Sequence, residues 1–359
     1  MAGTADVGED LGMDVLLIVS FGGPEGPEDV VPFLENVTRG RGIPRARLVE
    51  VGAHYGQFGG VSPLNALNRE LVQRVNAELG ERHEEVPVLW GNRNWDPYLV
   101  DAMRAARDLG ATRIFAFLTS AYSSYSGCRQ YRENLHDALA EVRAEDPAWD
   151  PQLHKLRTYF NHPGFVVPFA AAAAESLAGL PAGSRLVFTT HSIPTADAER
   201  CDYVAQHRAV AALIAAELGR GDDWDLVYQS RSGAPHIPWL EPDISDHLAA
   251  LAEDGVPGAV MVPIGFISDH MEVIWDLDTV AMRDGQELGL AVARAATPGT
   301  DARFVSMVVD LFAEARQRAG GSDPDQPALG VLGPRIVPCA AGCCPNPRAP
   351  RPAACGSDL

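Results

Sequence analysis

The sequence predicts an α/β protein of two Rossmann-like, doubly wound parallel-sheet domains, followed by a cysteine-bearing C-terminal tail. Three observations carry this expectation. Short runs rich in β-branched and apolar residues recur along the chain, and segments with helical periodicity separate them. Alternation of this kind puts parallel strands between helical layers. At 359 residues the chain is long enough for two domains. From Gly320 onward Pro, Ala, Gly and Arg dominate and the periodicity stops, which reads as an irregular tail.

Strands are expected at 14–20, 87–91, 113–118, 155–160, 185–190, 225–230 and 259–264. The first follows an acidic N-terminus and runs Val15-Leu16-Leu17-Ile18-Val19, the unbroken apolar character of a buried strand. Helices are expected between the strands. Over 65–81, Leu67, Leu71, Val75 and Leu79 recur at a four-residue spacing and draw one apolar stripe. The segment 165–178 is Ala-rich, and over 205–218 Val210, Leu213 and Ile214 share a face. Pro147 and Pro151 mark a join, giving domains 1–150 and 151–319 with a tail over 320–359. Open parallel sheets bind ligands beyond the carboxyl ends of their strands. The informative loops are therefore those after Val19, Leu118, Thr189, Tyr228 and Pro263.

The formal net charge of −19 disfavours a nucleic-acid partner, which needs clustered Lys and Arg. No apolar stretch reaches the roughly 18 residues of a membrane span. The start lacks the basic residues and longer apolar run of a signal peptide, so a cytoplasmic location is expected.

Several segments carry chemistry. His191, in Thr190-His191-Ser192-Ile193-Pro194, stands at the carboxyl end of an expected strand. A neutral imidazole there could ligate a metal or accept a proton, or merely hydrogen-bond its loop. In Gly265-Phe266-Ile267-Ser268-Asp269-His270-Met271-Glu272 a buried strand runs into a loop and then a helix that Ser268 or Asp269 could cap. Glu272 and Asp276 are four apart and share a helix face. They could form a proton or metal path, or simply complement the helix dipole. Trp239, after the polar loop Gln229-Ser230-Arg231-Ser232-Gly233, could line a flat aromatic ligand or belong to the core. Arg39 and Arg41 suit carboxylates if they lie near a cleft.

Six cysteines remain: Cys128, Cys201, Cys339, Cys343, Cys344 and Cys355. In a reducing compartment structural disulfides are not expected. Cys128, Cys339, Cys343 and Cys344 offer four thiolates, enough for an iron–sulfur cluster or a zinc, with Cys355 as a substitute ligand. Cys201 reads as a small buried apolar residue.

Taken in order, Ser20-Phe21-Gly22-Gly23-Pro24, Gly59-Gly60-Val61-Ser62-Pro63-Leu64, Gly91-Asn92-Arg93-Asn94-Trp95, Thr190-His191-Ser192-Ile193-Pro194, Gln229-Ser230-Arg231-Ser232-Gly233 and Gly265–Glu272 resemble the ferrochelatases over about 14–280. The resemblance implies a lyase of haem biosynthesis that inserts Fe²⁺ into a porphyrin. It implies a cleft between the halves, with His191 and Glu272 at the substrate-metal site and Asp276 leading outward. The imidazole and carboxylate are expected to face each other across a slot wide enough for a tetrapyrrole. Ser62 and Tyr125 match cleft-lining positions, and Arg39 and Arg41 fall in the segment near the propionates. Some members carry a [2Fe–2S] cluster, which implies that cofactor on Cys128, Cys339, Cys343 and Cys344, with the tail returning to the first domain. Glu25 stands where the coproporphyrin-type enzymes often have a tyrosine, so a tyrosinate contact to product iron is not implied. A hydrophobic membrane-contacting lip is missing, and the resemblance then favours coproporphyrin III over protoporphyrin IX. Rival readings are a cobalt chelatase of a reduced tetrapyrrole and a non-catalytic haem carrier. A downstream enzyme of the haem pathway is a candidate partner.

Overall fold

A computed structural model describes residues 12–40, 42–233, 236–335 and 337–356. The first half contains β1 (Met13–Ser20), α1 (Pro27–Val37), α2 (Arg45–Gly56), α3 (Leu64–Glu81), β2 (Val88–Asn92), α4 (Leu99–Asp108) and β3 (Ala111–Leu118). A π-helical turn at Tyr125–Arg129 then leads into α5 (Gln130–Glu145) and β4 (Gln152–Lys155). The second half runs α6 (Pro163–Ala178), β5 (Arg185–His191), α7 (Thr195–Ala198), α8 (Tyr203–Glu217), β6 (Trp224–Gln229), α9 (Ile244–Glu253) and β7 (Gly258–Val262). It continues with α10 (Met271–Val273), a π-helical stretch at Ile274–Ala281, α11 (Met282–Glu287), β8 (Ala291–Arg294) and α12 (Ala302–Ala319).

The strands form two parallel four-stranded sheets, ordered β2-β1-β3-β4 and β6-β5-β7-β8. The plan is the same in both: the first strand of each half lies between its second and third. In the first sheet Ile18 pairs with Trp90 on one side and Phe117 on the other. In the second, Phe188 pairs with Leu226 and Val262.

Side chains alternate across each strand, so each sheet feeds two apolar layers. Leu16, Ile18, Phe115 and Phe117 point into a large core shared with Leu71 and Val75 of α3, Phe165 of α6, Phe188 of β5 and Phe304 and Phe312 of α12. Val15, Leu17 and Val19 point the other way, against Leu99 and Met103 of α4 and Leu135 of α5. Val187 and Met261 pack on Leu248 of α9 and on Val273 and Leu277. Each such side chain contributes about 1.5–3 kcal/mol when fully buried.

Three expectations change. The strand expected at 155–160 forms earlier, at Gln152–Lys155, and pairs with β3 in the first sheet. β4 thus belongs to the first sheet although it lies just beyond residue 150. α12 comes from the second half of the sequence yet packs on the first: Phe312 meets Phe115 edge-on, and Arg82 and Glu84 pair with Asp310 and Arg316. β8 has only four residues and no strong apolar run, so the sequence pattern misses it.

The tail has no helix or long strand among the described residues. It is held by side chains instead. Arg157 donates to the Pro327 carbonyl at 2.9 Å, and Asn161 to that of Gly333 at 2.8 Å. Farther on, Arg129 and Arg132 donate to the carbonyls of Arg351 and Ala354 at 2.8 and 2.7 Å. The last two contacts lay the end of the tail against the π-helical turn and the start of α5. No helix among the described residues is long and apolar enough to cross a membrane.

Candidate active site

His191 is the last residue of β5, and its side chain is 28% exposed. The chain turns sharply beyond it, with the Ser192 amide donating to the Gln229 carbonyl at 2.8 Å. His191 Nδ1 contacts the Ser192 carbonyl. A carbonyl only accepts, so Nδ1 carries the hydrogen and donates. Nε2 is then the nitrogen directed outward, and it lies 3.5 Å from Glu272 Oε1.

Glu272 is placed by the loop after β7. His270 caps α10, its Nδ1 accepting from the Glu272 amide at 3.1 Å. The cap is therefore His270, not Ser268 or Asp269. Asp269 is drawn away by Arg294 at 3.0 Å and by the Thr297 hydroxyl at 3.0 Å. Gln229 donates to the Glu272 carbonyl at 2.9 Å, tying the end of β6 to α10.

Asp276 lies one turn on, where the helix widens to π geometry, a distortion common at functional sites. The Ser230 hydroxyl donates to Asp276 Oδ2. Ser230 adopts φ +62°, an unfavourable conformation for a side-chain-bearing residue and one often kept at functional sites.

These neighbours set the charges. Burial disfavours the imidazolium of His191, but Glu272, the Ser192 carbonyl and Asp276 outweigh it and raise its pKa. Burial, with the nearby Glu272 charge, pushes Asp276 up to about 6 against the Ser230 hydrogen bond. Burial lowers His270 in spite of Glu272.

The expected slot between His191 and Glu272 is not found. Both come from the second half and touch as a pair on one wall, because β5 and β7 are adjacent strands of one sheet. The first half approaches through α2. His54 stacks on Trp275 with ring centroids 4.0 Å apart, and burial and the Glu272 charge raise the Tyr55 phenol. Within the first half, Phe33 meets Tyr55, Phe21 and Trp95 in an edge-to-face cluster. His54 and Tyr55 carry no local signal in the sequence; only the fold brings them to the site.

The other expected residues are dispersed. Ser62 is 4% exposed and lies just before α3, its Oγ accepting from the Leu64 amide at 3.4 Å, so it is not on an open surface. Tyr125 sits on the π-helical turn and donates to Glu133 Oε2 at 3.3 Å. Arg39 is exposed in the turn after α1, and Arg41 lies outside the described residues. Trp239 bridges to Pro194 and covers Gly233, where a Cβ would come within 2.2 Å of its Nε1. Glu25 pairs with Arg69 at 2.5 Å. Gly60 takes φ +77° and lies so close to Pro27 that a Cβ would meet its Cα at 2.4 Å.

The cysteines gather as a chain. Cys343 and Cys344 Sγ are 3.7 Å apart, Cys343 neighbours Cys339, and Cys339 neighbours Cys128. Hydrogen bonds from Cys128 and Cys343, with Lys155 and Arg132 nearby, favour the Cys339 thiolate. Arg335 lies 3.7 Å from the Cys343 sulfur. No three His, Cys, Asp or Glu side chains among the described residues converge as a ready single-ion cage. Cys355 lies beside Cys339, which bridges to Gly356; its thiol donates to the Leu153 carbonyl at 3.2 Å, and burial raises it to about 11. Cys201 is half-buried against the main core, and donates to Asp197 O at 3.3 Å.

Two surface hollows, of about 330 Å³ beside Trp224 and His247 and about 500 Å³ beside Met282 and Val292, flank the edge strands of the second sheet. Neither contains His191 or Glu272.

Two like parallel sheets, with an imidazole–carboxylate pair at the carboxyl ends of neighbouring strands, define a chelatase-like α/β protein. Residues 14–316 match the ferrochelatase family, and the chain belongs to it. It is 54% identical over 372 residues to the coproporphyrin III ferrochelatase of Streptomyces griseus subsp. griseus, covering 99% of each chain. Its identity to the Streptomyces coelicolor protein of the same name is 55% over 363 residues, covering 96% of each. Among solved structures, SirB from Bacillus subtilis with Fe³⁺ aligns at a TM-score of 0.53 and 15% identity, covering 87% of this chain and 100% of SirB, a likeness of fold alone.

Proposed function

We propose that this protein inserts Fe²⁺ into coproporphyrin III to give coproheme, with His191 as the base at the metal site. The observation that carries the reading is the 3.5 Å pair of His191 Nε2 and Glu272 Oε1 on one wall. The names of the relatives at 54% and 55% identity support the substrate.

Insertion exchanges Fe²⁺ for two pyrrole protons. His191 Nε2, the nitrogen that Ser192 does not engage, is the acceptor, and Glu272 beside it increases its basicity by favouring the imidazolium that forms. A mixed imidazole and carboxylate site holds ferrous iron without trapping it. Asp276, with a pKa of about 6, can take up and release a proton near neutral pH and so extend the route outward. The wall of His54, Tyr55 and Trp275 suits an aromatic macrocycle. Arg39 and Arg41 would serve the four propionates, and Tyr125 and Trp239 would shape the binding surface around the ring.

Cys128, Cys339, Cys343 and Cys344 would hold a [2Fe–2S] cluster. The donor set fits: four thiols in contact, with Lys155, Arg132 and Arg335 offsetting thiolate charge. A two-iron cluster takes two thiolates on each iron, so three thiols about one point are not required. Bound there, it would supply a covalent link between the tail and the π-helical turn before α5, and no catalytic step runs through it. Visible absorption and EPR of anaerobically purified protein test this; a colourless zinc protein is the opposite result.

Anaerobic turnover with Fe²⁺ tests the activity. Coproporphyrin III should give the higher kcat/KM against protoporphyrin IX. His191→Ala should keep the fold and lose on the order of 10²–10⁴-fold in rate. A wild-type rate in that variant would end the assignment.

A further inference from the structure

We propose that Tyr203 is a positioning residue, its phenol fixing the end of β5 from which the His191 imidazole projects. The proposal rests on reading His191 as the base at the metal site.

Tyr203 opens α8 and is 8% exposed. Its hydroxyl donates to the His191 carbonyl at 2.9 Å and lies 2.7 Å from Thr190 Oγ1. Thr190 Oγ1 in turn lies 2.9 Å from His207 Nε2. The other ring nitrogen, Nδ1, is 2.7 Å from the Tyr203 carbonyl one turn back. A carbonyl only accepts, so His207 Nδ1 carries the hydrogen, and burial keeps the ring neutral. His207 Nε2 must then accept from Thr190. The Tyr203 hydrogen is left to the Thr190 oxygen and the His191 carbonyl together. The direction of each hydrogen bond is thereby fixed.

The network is braced from the first half. Tyr122 stacks on His207 with centroids 3.5 Å apart, and its hydroxyl donates to the Ile264 carbonyl at 2.9 Å. Gln206 clasps Ser123, accepting from its amide at 2.8 Å and donating to its hydroxyl at 2.9 Å. Gly265, in the loop that leads to Glu272, leaves the network its room: a Cβ there would lie 2.2 Å from Thr190 Oγ1.

Thr190 and His207 are fully buried. Stability alone does not call for polar groups in such a place, since apolar replacements of the same shape can be neutral or stabilising. What polar groups add is a single geometry, and this geometry is spent on the two residues that end β5. Displacing a reacting group by about 1 Å can cost about 10²-fold in rate.

The test compares full-length wild type with Tyr203→Phe, Thr190→Val and Thr190→Ser, in anaerobic Fe²⁺ insertion into coproporphyrin III and in ¹⁵N spectra of the His191 ring. Tyr203→Phe and Thr190→Val should lower kcat by roughly 10–100-fold, leave the porphyrin KM within about twofold and shift the ring signals. Thr190→Ser, which keeps the hydroxyl, should rescue most of the loss. The two Thr190 variants read the same network if Tyr203→Phe does not fold. Wild-type kcat and ring signals in Tyr203→Phe or Thr190→Val overturn the proposal, as does a Thr190→Ser as impaired as Thr190→Val. Normal turnover by His191→Ala instead removes the reading beneath it.

Discussion

Replacing Asp276 by Asn removes a buried charge that the native state is poorly built to hold. Burial comes first among the causes, joined by Glu272 and Asp243; the Ser230 hydroxyl and His191 oppose them, and the result is a pKa of about 6. An unfolded Asp titrates near about 3.9. Between about 4 and 6 the native protein therefore binds more protons than the unfolded chain, and stability falls as pH rises through that window. The loss is complete above about pH 6, and a shift of roughly two units caps it at about 3 kcal/mol. Residual solvent at the partly exposed side chain reduces this to about 1–2 kcal/mol. Asn keeps an oxygen for Ser230 and carries no charge. Urea unfolding of metal-free protein should therefore show little difference between Asp276→Asn and wild type near pH 4.5 and a gain of about 1–2 kcal/mol at pH 7.5. The same variant should insert iron about tenfold more slowly, because the outward proton acceptor is gone. A gain of equal size at both pH values, or none at pH 7.5, would refute the electrostatic argument.

Arg157 and Glu314 form a 2.9 Å ion pair, 0% and 7% exposed at their side chains. Glu314→Ala should cost about 3–5 kcal/mol in urea unfolding, because it leaves a buried guanidinium unpaired. Gly265→Ala must push against Thr190 and should cost about 1–3 kcal/mol, with a fall in kcat larger than any change in porphyrin KM. Cys339→Ser, which removes the thiol that neighbours both Cys128 and Cys343, should abolish the visible absorption expected of the proposed cluster while α5 keeps its amide hydrogen-exchange protection.

Most of the strands and the helices over 64–81, 163–178 and 203–217 were legible because their apolar periodicity is local. Where tertiary pairing outvotes local pattern, legibility ends. β4 joins the first sheet because β3 offers it an edge, and β8 is a strand only because β7 does. The π-helical stretch that carries Asp276 leaves no periodic trace either.

By itself the sequence determined two alternating α/β halves, the family motifs, and the stations of His191 and Glu272 near strand ends, since all of these are written in consecutive residues. Only the tertiary structure decided that those two side chains touch on one wall. The same is true of α2 bringing His54 and Tyr55 opposite them, of Ser62 being buried, and of the tail thiols meeting Cys128. The reason is physical: contacts between residues far apart in the chain are set by which strands neighbour each other and by which faces must leave water, and no local spacing encodes that.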